Sequence, residues 1–302
     1  MKEANRLTLK RILYGGNAMG FTLIELIITM AVTAIIGAAI VSNYMVQQRT
    51  ATVNQQVNQM QQQLRGSIYL MEGDIRKAGF DPSKTGSFGV TNVQRWSIGT
   101  DATAATATAS GSPSITVNFD TDSNGTVDND ETFIYRLFDD NGDNIIDLAR
   151  IYYDDGAAAW KGGLVAEGFQ AIGFAYAVDA DNDGELDRTA GNNIIWAVDS
   201  DNDNVLDTNL DTDDNGVIDA DDDSSGDGSI TSADGAAGNI GTVPVTSIRA
   251  VRVWLLARTD IQDPDFDNPQ TYVVGDRVLG PFNDGLRRRL LVRAIDCRNT
   301  AY

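Results

Sequence analysis

Residues Asp120 to Glu131 read DTDSNGTVDNDE. Oxygen-bearing side chains stand at alternate places, Asp120, Asp122 and Asn124, then comes a glycine, with Asp128 at the ninth place and Glu131 at the twelfth. Alternating oxygens followed by a sharp turn wrap a chain around a hard divalent cation, which takes about six to eight oxygen ligands; this is the pattern of calcium loops. The same pattern starts again at Asp139, Asp179, Asp199, Asp211 and Asp223. Its candidate ligands are Asp139, Asn141, Asp143 and Asp147 in the second copy and Asp179, Asp181, Asp183 and Asp187 in the third. The fourth offers Asp199, Asp201, Asp203 and Asp207, the fifth Asp211, Asp213, Asn215, Asp219 and Asp222, and the sixth Asp223, Ser225, Asp227 and Asp234.

Two further places hold register. The sixth is Gly125, Asn144, Gly184, Asn204, Gly216 and Gly228, residues that tolerate the left-handed backbone such a loop needs. The eighth is Val127, Ile146, Leu186, Leu206, Ile218 and Ile230, aliphatic in every copy. An acidic solvated linker would have no reason to keep either. The twelfth place is acidic only in the first, fifth and sixth copies; elsewhere it is Arg150, Ala190 and Leu210. Those three copies take a ligand from elsewhere, bind weakly or are relics. An affinity of ~0.1–1 mM, that of extracellular calcium modules, is expected.

The elements around the loops are strands. FAYAV precedes Asp179 and IIWAV precedes Asp199, so this is not a paired-helix calcium sensor. Strands are predicted at Thr132–Phe138, Leu148–Tyr153, Phe169–Val178, Asn193–Val198, Ile248–Ala257 and Arg289–Cys297. In the fifth, Val251, Val253 and Leu255 alternate with Arg252 and Trp254, the period of a half-buried strand. Asp101 to Pro113 is small and polar and reads as a loop. Asn202 to Gly241 reads as an excursion of calcium loops inserted in the sheet, with almost no apolar core of its own.

Ahead of the strands lies a helix. Val53, Val57, Met60, Leu64, Ile68, Met71 and Ile75 fall three or four residues apart and share one face. With no proline before Pro82, one helix is predicted from Phe21 to Lys77, closed by Gly79 and Pro82. A long helix followed by mostly antiparallel strands is an α+β architecture.

Composition narrows the chemistry. The chain has 302 residues and a net charge of −20, and the stretch from Asp120 to Asp234 holds 30 of its 43 acidic residues against four basic ones. Such a block repels nucleic-acid phosphates and suits a divalent cation. There is no histidine, which excludes Ser-His-Asp and Cys-His catalysis and ordinary zinc chemistry. The single cysteine, Cys297, cannot form an internal disulfide and reads as a small buried residue. Calcium would take the place of the missing staples, because carboxylates crowded in a loop repel one another until metal folds it.

The N-terminal region is of another kind. A leader carrying Lys2, Arg6, Lys10 and Arg11 precedes Gly20, and an apolar run from Phe21 to Val41 contains one charge, Glu25. The run is long enough to cross a bilayer, and the basic leader belongs on the cytoplasmic side. Here the processing site, Gly20-Phe21, comes before the apolar run, whereas an ordinary secretory signal has it after. GFTLIEL, with glutamate fifth after the glycine, resembles the processing motif of type IV prepilins and type II secretion pseudopilins. The resemblance implies that a prepilin peptidase cuts after Gly20 and methylates the amine of Phe21, and that Glu25 neutralises the terminal amine of a neighbouring subunit. LMEGDIRKAGF (Leu70–Phe80) and LRRRLLVRAIDCRN, ending at Asn299, resemble stretches of PilW-type minor pilins. The spacing of the last three acidic loops resembles the tandem aspartate-rich repeats of thrombospondin-type proteins. Many major pilins carry a kinking proline where this chain has Ser42.

The expected organisation is a leader over 1–20, a pilin helix over 21–79 and an exported β-rich domain over 80–302, with calcium loops at 120–155 and 179–234. The expected function is that of a minor pilin that starts or caps a type IV pilus, held in the inner membrane by a single span before assembly and extracellular after it. Its expected partners are other pilins and the peptidase, not nucleic acid. Two alternatives share the N-terminus: a calcium-dependent adhesin at the filament tip that meets a surface or cell receptor, and a minor pseudopilin of a type II secretion system. No nucleophile–base pair or cofactor motif suggests an enzyme.

Overall fold

The computed structural model describes residues 20–298. The leader charges Lys2, Arg6, Lys10 and Arg11, and the final Asn299, lie outside the described residues. One α-helix, α1, runs from Leu23 to Ile75 without a break at Ser42. Its first half holds the one stretch, among the described residues, that is long and apolar enough to cross a membrane by length and composition. After Ile75 a turn ends at Gly79, whose φ of +79° costs a glycine little and whose N–H donates to the Asn118 carbonyl at 3.1 Å. The contact boundary between the two units of the chain falls between Thr52 and Val53, inside the helix, so the second half of α1 belongs to the β-rich unit.

That unit is a ten-stranded sheet whose neighbouring strands are all antiparallel. In chain order the strands are β1 (Gly89–Asn92), β2 (Ile115–Asn118), β3 (Thr132–Phe138), β4 (Ile146–Asp154) and β5 (Ala159–Val178), then β6 (Ala197–Val198), β7 (Val205–Asn209), β8 (Asn239–Pro244), β9 (Ile248–Arg258) and β10 (Arg288–Asp296). β1 to β8 follow one another across the sheet, while β9 pairs with both β5 and β10. Two small ribbons, Arg95–Trp96 with Ser112–Pro113 and Tyr272–Val274 with Arg277–Leu279, complete the fold. It is α+β, as the sequence predicts.

The helical stripe forms part of the main core. Met60, Leu64, Met71 and Ile75 are buried with Ile115, Val117, Tyr135, Leu148, Phe169, Val251 and Val253. A second core lies on the other side of β9, where Trp254 and Leu256 meet Val198, Leu210, Ile218 and Ile230. Two expectations change here. β9 is buried on both faces rather than half-buried, and the acidic loops do own an apolar core, because Ile218 and Ile230 from the eighth place are inserted into it. Each such side chain stabilises the fold by about 1.5–3 kcal/mol.

Boundaries differ in instructive places. β5 starts ten residues before the predicted Phe169, since its glycine-rich first half (Gly162, Gly163, Gly168) lacks the β-branched signal. Of Asn193–Val198 only Ala197 and Val198 join the sheet; Asn193 and Ile195 instead bond back to Thr189 and Asp187. The excursion predicted over Asn202–Gly241 contains β7 and the start of β8, which pair with each other. Only the stretch between Asn209 and Asn239 leaves the sheet.

Candidate metal centres and the helix terminus

All six loops fold alike. At the sixth place φ is positive in every copy, between +64° and +90°. The fourth place, Ser123, Gly142, Asn182, Asn202, Asp214 and Gly226, is left-handed in every copy too, a feature missed in the sequence although most of those residue types tolerate it. The fifth-place oxygen accepts the seventh-place N–H in each copy, from Asn124 with Thr126 (2.6 Å) to Asp227 with Ser229 (2.9 Å). The first-place aspartate turns inward and binds backbone N–H groups, as Asp199 does with Asn202, Asp203 and Asn204.

Closure divides the copies. In the first, fifth and sixth, the twelfth-place carboxylate straddles the loop. Glu131 accepts from Thr121 N (2.5 Å) and Asp128 N (3.2 Å), Asp222 from Thr212 N (2.7 Å) and Asp219 N (2.9 Å), and Asp234 from Ser225 N (3.0 Å) and Thr231 N (2.8 Å). In the other three the ninth-place aspartate takes the second-place N–H: Asp147 from Asp140 (3.1 Å), Asp187 from Ala180 (3.1 Å) and Asp207 from Ser200 (3.2 Å). The carboxylate missing from their twelfth place is thus supplied three residues earlier.

Four groups of carboxylates bring ligand atoms within 4.8 Å of one another and could hold a metal ion: Asp120, Asp122 and Glu131; Asp179, Asp181 and Asp187; Asp199, Asp201 and Asp203; Asp211, Asp213 and Asp222. Asp128, Asp183, Asp207 and Asp219, expected as ligands, stand outside these groups. Asp128 accepts from the Asn124 amide (2.9 Å), and Asp219 caps the 3-10 turn that comes after it. The second and sixth loops form no such group among the described residues, having Asn141 and Ser225 at the third place. Burial raises the pKa of Asp187, Asp199, Asp211 and Asp222. Burial likewise raises Asp147, opposed by the Asp140 and Gly168 N–H groups. At Asp234 burial also pushes upward, but hydrogen bonds from Thr231 and Ser225 outweigh it and hold the carboxyl at about 2.

A further DxDxDN stretch, Asp263 to Asn268, has the letters without the fold. Arg287 occupies Asp263 at 2.8 Å, and Asn268 is buried without a left-handed φ. Asparagine at the turn places has its own use in the fourth loop. Asn204 donates to the Thr91 carbonyl (3.1 Å) and accepts from Val93 N (3.0 Å), while Asn202 accepts from Arg95 N (2.6 Å). The loop thereby covers backbone groups at the end of β1 and just after it, from Thr91 to Arg95, that a glycine would leave bare.

The helix is held at both ends. At its start Glu25 accepts from Thr22 N (3.0 Å) and Thr22 Oγ1 (2.9 Å), while Glu25 N donates to Thr22 Oγ1 (3.3 Å): a capping box that the sequence reading passed over. Phe21 beside it is exposed. At the other end, buried Asp74 accepts from Tyr135 Oη (2.6 Å) and from Arg150 Nε (2.7 Å). Arg150 is the twelfth residue of the second loop, and it stacks over Phe133 at 4.1 Å. Asp120 N, the first residue of the first loop, donates to the Phe80 carbonyl in the turn after the helix (2.8 Å). Cys297 is buried, and burial pushes its thiol up to about 12.

Residues 53–150 match the family described as prepilin peptidase-dependent protein B. Residues 134–299, more than half of the chain, match the family of Type IV Pilus-assembly protein W. The chain belongs to the PilW family. Membership places it among structural components of pilus assembly rather than among enzymes. A solved type IV-like pilin from Thermus thermophilus is similar at 13% identity and a TM-score of 0.36, over 80% of this chain and 97% of that one. No curated protein matches the chain. The PilW match spans the second, third, fourth, fifth and sixth loops and the end of the sheet, and neither family match reaches Gly20–Glu25.

Proposed function

We propose that this PilW-family protein is a minor pilin that starts or caps a type IV pilus, with an exported domain folded around calcium. The family match supports the pilus role, together with an apolar helix whose bilayer-length stretch has no cover of its own. In this reading a prepilin peptidase cuts between Gly20 and Phe21 and methylates the new amine. Glu25 then gives up its bonds to Thr22 and pairs with the amine of the next subunit, because adjacent opposite charges offset each other's desolvation. Before assembly the helix anchors the chain in the inner membrane; afterwards it packs among other pilins.

Calcium is favoured over other metals by the chemistry of the donors. The four groups offer carboxylate oxygens, and the chain has no histidine and one buried cysteine, a set for a hard cation. The acidic groups then act as the staples of a domain without disulfides. The pilus role is tested by counting surface filaments by electron microscopy in a strain lacking the gene, grown with ample calcium. Loss of filaments with return on complementation is the expected result. Unchanged filaments would remove the assembly role and leave adhesion or secretion.

A further inference from the structure

A cavity of about 500 Å³ is lined by residues of both small ribbons, with Leu137 of β3 and Ile172 of β5 in its wall. Its polar lining is Ser97, Thr108, Ser110, Ser112, Gln170 and Arg277. Among the described residues the arginine is the one charge there, and no carboxylate lines the cavity, in a chain with 43 acidic residues and a net charge of −20. None of the lining residues belongs to an acidic loop.

Arg277 has no carboxylate of its own. Its Nη2 donates to the Gly111 carbonyl (2.9 Å), which ties it to the segment entering the other ribbon. Asp276, next to it in sequence, is paired with Arg95, and no ion pair reaches Arg277 among the described residues. Burial, then the charge of Arg95, lowers the pKa of Arg277, and Asp276 offsets this only in part. A third guanidinium belongs to Arg136, the residue before Leu137. It is 5% exposed, stacks over Trp96 at 4.3 Å and has no partner for its Nε. Burial pushes it down to about 10. Buried cations without carboxylates are costly, and an anion held nearby offsets that cost.

We propose that this cavity binds a small hydroxylated carboxylate, the chemistry of an acidic sugar. Arg277 takes the carboxylate, whose two oxygens match the planar fork of a guanidinium. The four hydroxyl residues and Gln170 both donate and accept, as the hydroxyls of a sugar do. The volume is that of an ordinary small-molecule site. Such a site gives the exported domain a ligand of its own, whatever the acidic loops hold.

The test uses the full-length chain in detergent and calcium, with glucuronate as probe, glucose as its uncharged counterpart and acetate as the bare anion. Saturation-transfer NMR should show glucuronate bound, and glucose and acetate bound about ten-fold more weakly. Arg277→Gln should weaken glucuronate about ten-fold and leave glucose unchanged, since it removes a charge-assisted contact. If that variant fails to fold, Ser110→Glu carries the test, because Ser110 is exposed and a carboxylate there should repel the probe. Glucuronate left unbound by the wild type, or bound as well by the folded variants, would overturn the site. Binding that ignores Arg277→Gln but vanishes in chelator would assign the sugar to the loop ions instead. Acetate held as tightly as glucuronate would overturn the sugar assignment.

Discussion

Loops closed at the twelfth place and loops closed at the ninth share one consensus and differ in the backbone that leaves them. After the ninth residue of the first and fifth loops a 3-10 turn, Asn129–Glu131 or Ala220–Asp222, brings the twelfth residue back over the mouth. In the second and fourth loops a strand has already begun, at Ile146 or Val205. An extended chain advances about 3.3 Å per residue, so three residues carry the twelfth side chain roughly 10 Å beyond the ninth. The closing acid must then sit earlier. In these four loops the exit element goes with the place of the closing acid, and a twelfth residue freed from closure can be spent elsewhere, as Arg150 is on Asp74.

The largest expected effect comes from exchanging the two closures. Glu131→Ala or Asp222→Ala should lower stability in calcium by about 2–4 kcal/mol, as removal of a buried group's partners does. Asp128→Ala, at the ninth place of the first loop, should cost under about 1 kcal/mol. In the third loop the order reverses: Asp187→Ala is costly and Ala190→Glu, which restores a twelfth-place acid, gains nothing. Calcium-dependent thermal melts of these variants check the pattern; equal losses at Asp128 and Glu131 would erase the distinction.

A second contrast runs along the eighth place. Ile230 is 2% exposed and Val127 40% exposed, although the first loop is the best match to the consensus. Ile230→Ala should cost about 2–4 kcal/mol and Val127→Ala under about 0.5 kcal/mol, by denaturant titration in calcium.

The smallest effect is on pH dependence. Asp187, Asp199, Asp211 and Asp222 have raised pKa values, so their contribution to stability is present at low pH and is lost as pH rises above the ordinary 3.8. Asp234, held at about 2, contributes the opposite slope, and only below 3.8. In chelator, melting temperature should therefore fall as pH rises from 3.8. In calcium it should rise over the same range, as deprotonation loads the loops. Parallel slopes in the two media would contradict this.

Much of the fold is legible because its signals are periodic. The stripe from Val53 to Ile75 and the alternation at Val251–Leu255 each point to the right element. What periodicity hides is cover: nothing in Arg252–Trp254 says that a second layer lies over β9, since that layer comes from Ile218 and Ile230 in distant loops. β1 is only four residues long, and the glycine-rich start of β5 carries too few β-branched residues to announce itself. At the candidate sites the register of the sixth place is readable and the ninth-place closure is not, because in the second and fourth loops it goes with where a strand begins. Glu25 is legible as an unusual charge, but its capping of Thr22 depends on a threonine three residues back.

The central proposal is that divalent metal folds the β-rich unit. The most direct measurement is the thermal unfolding of the full-length protein in detergent, in millimolar calcium, in equal magnesium and in chelator. Four sites each at ten times their dissociation constant would add about 5–6 kcal/mol. A large rise in melting temperature with calcium, and a much smaller one with magnesium, is the expected result. The same melting temperature in calcium and in chelator would contradict it.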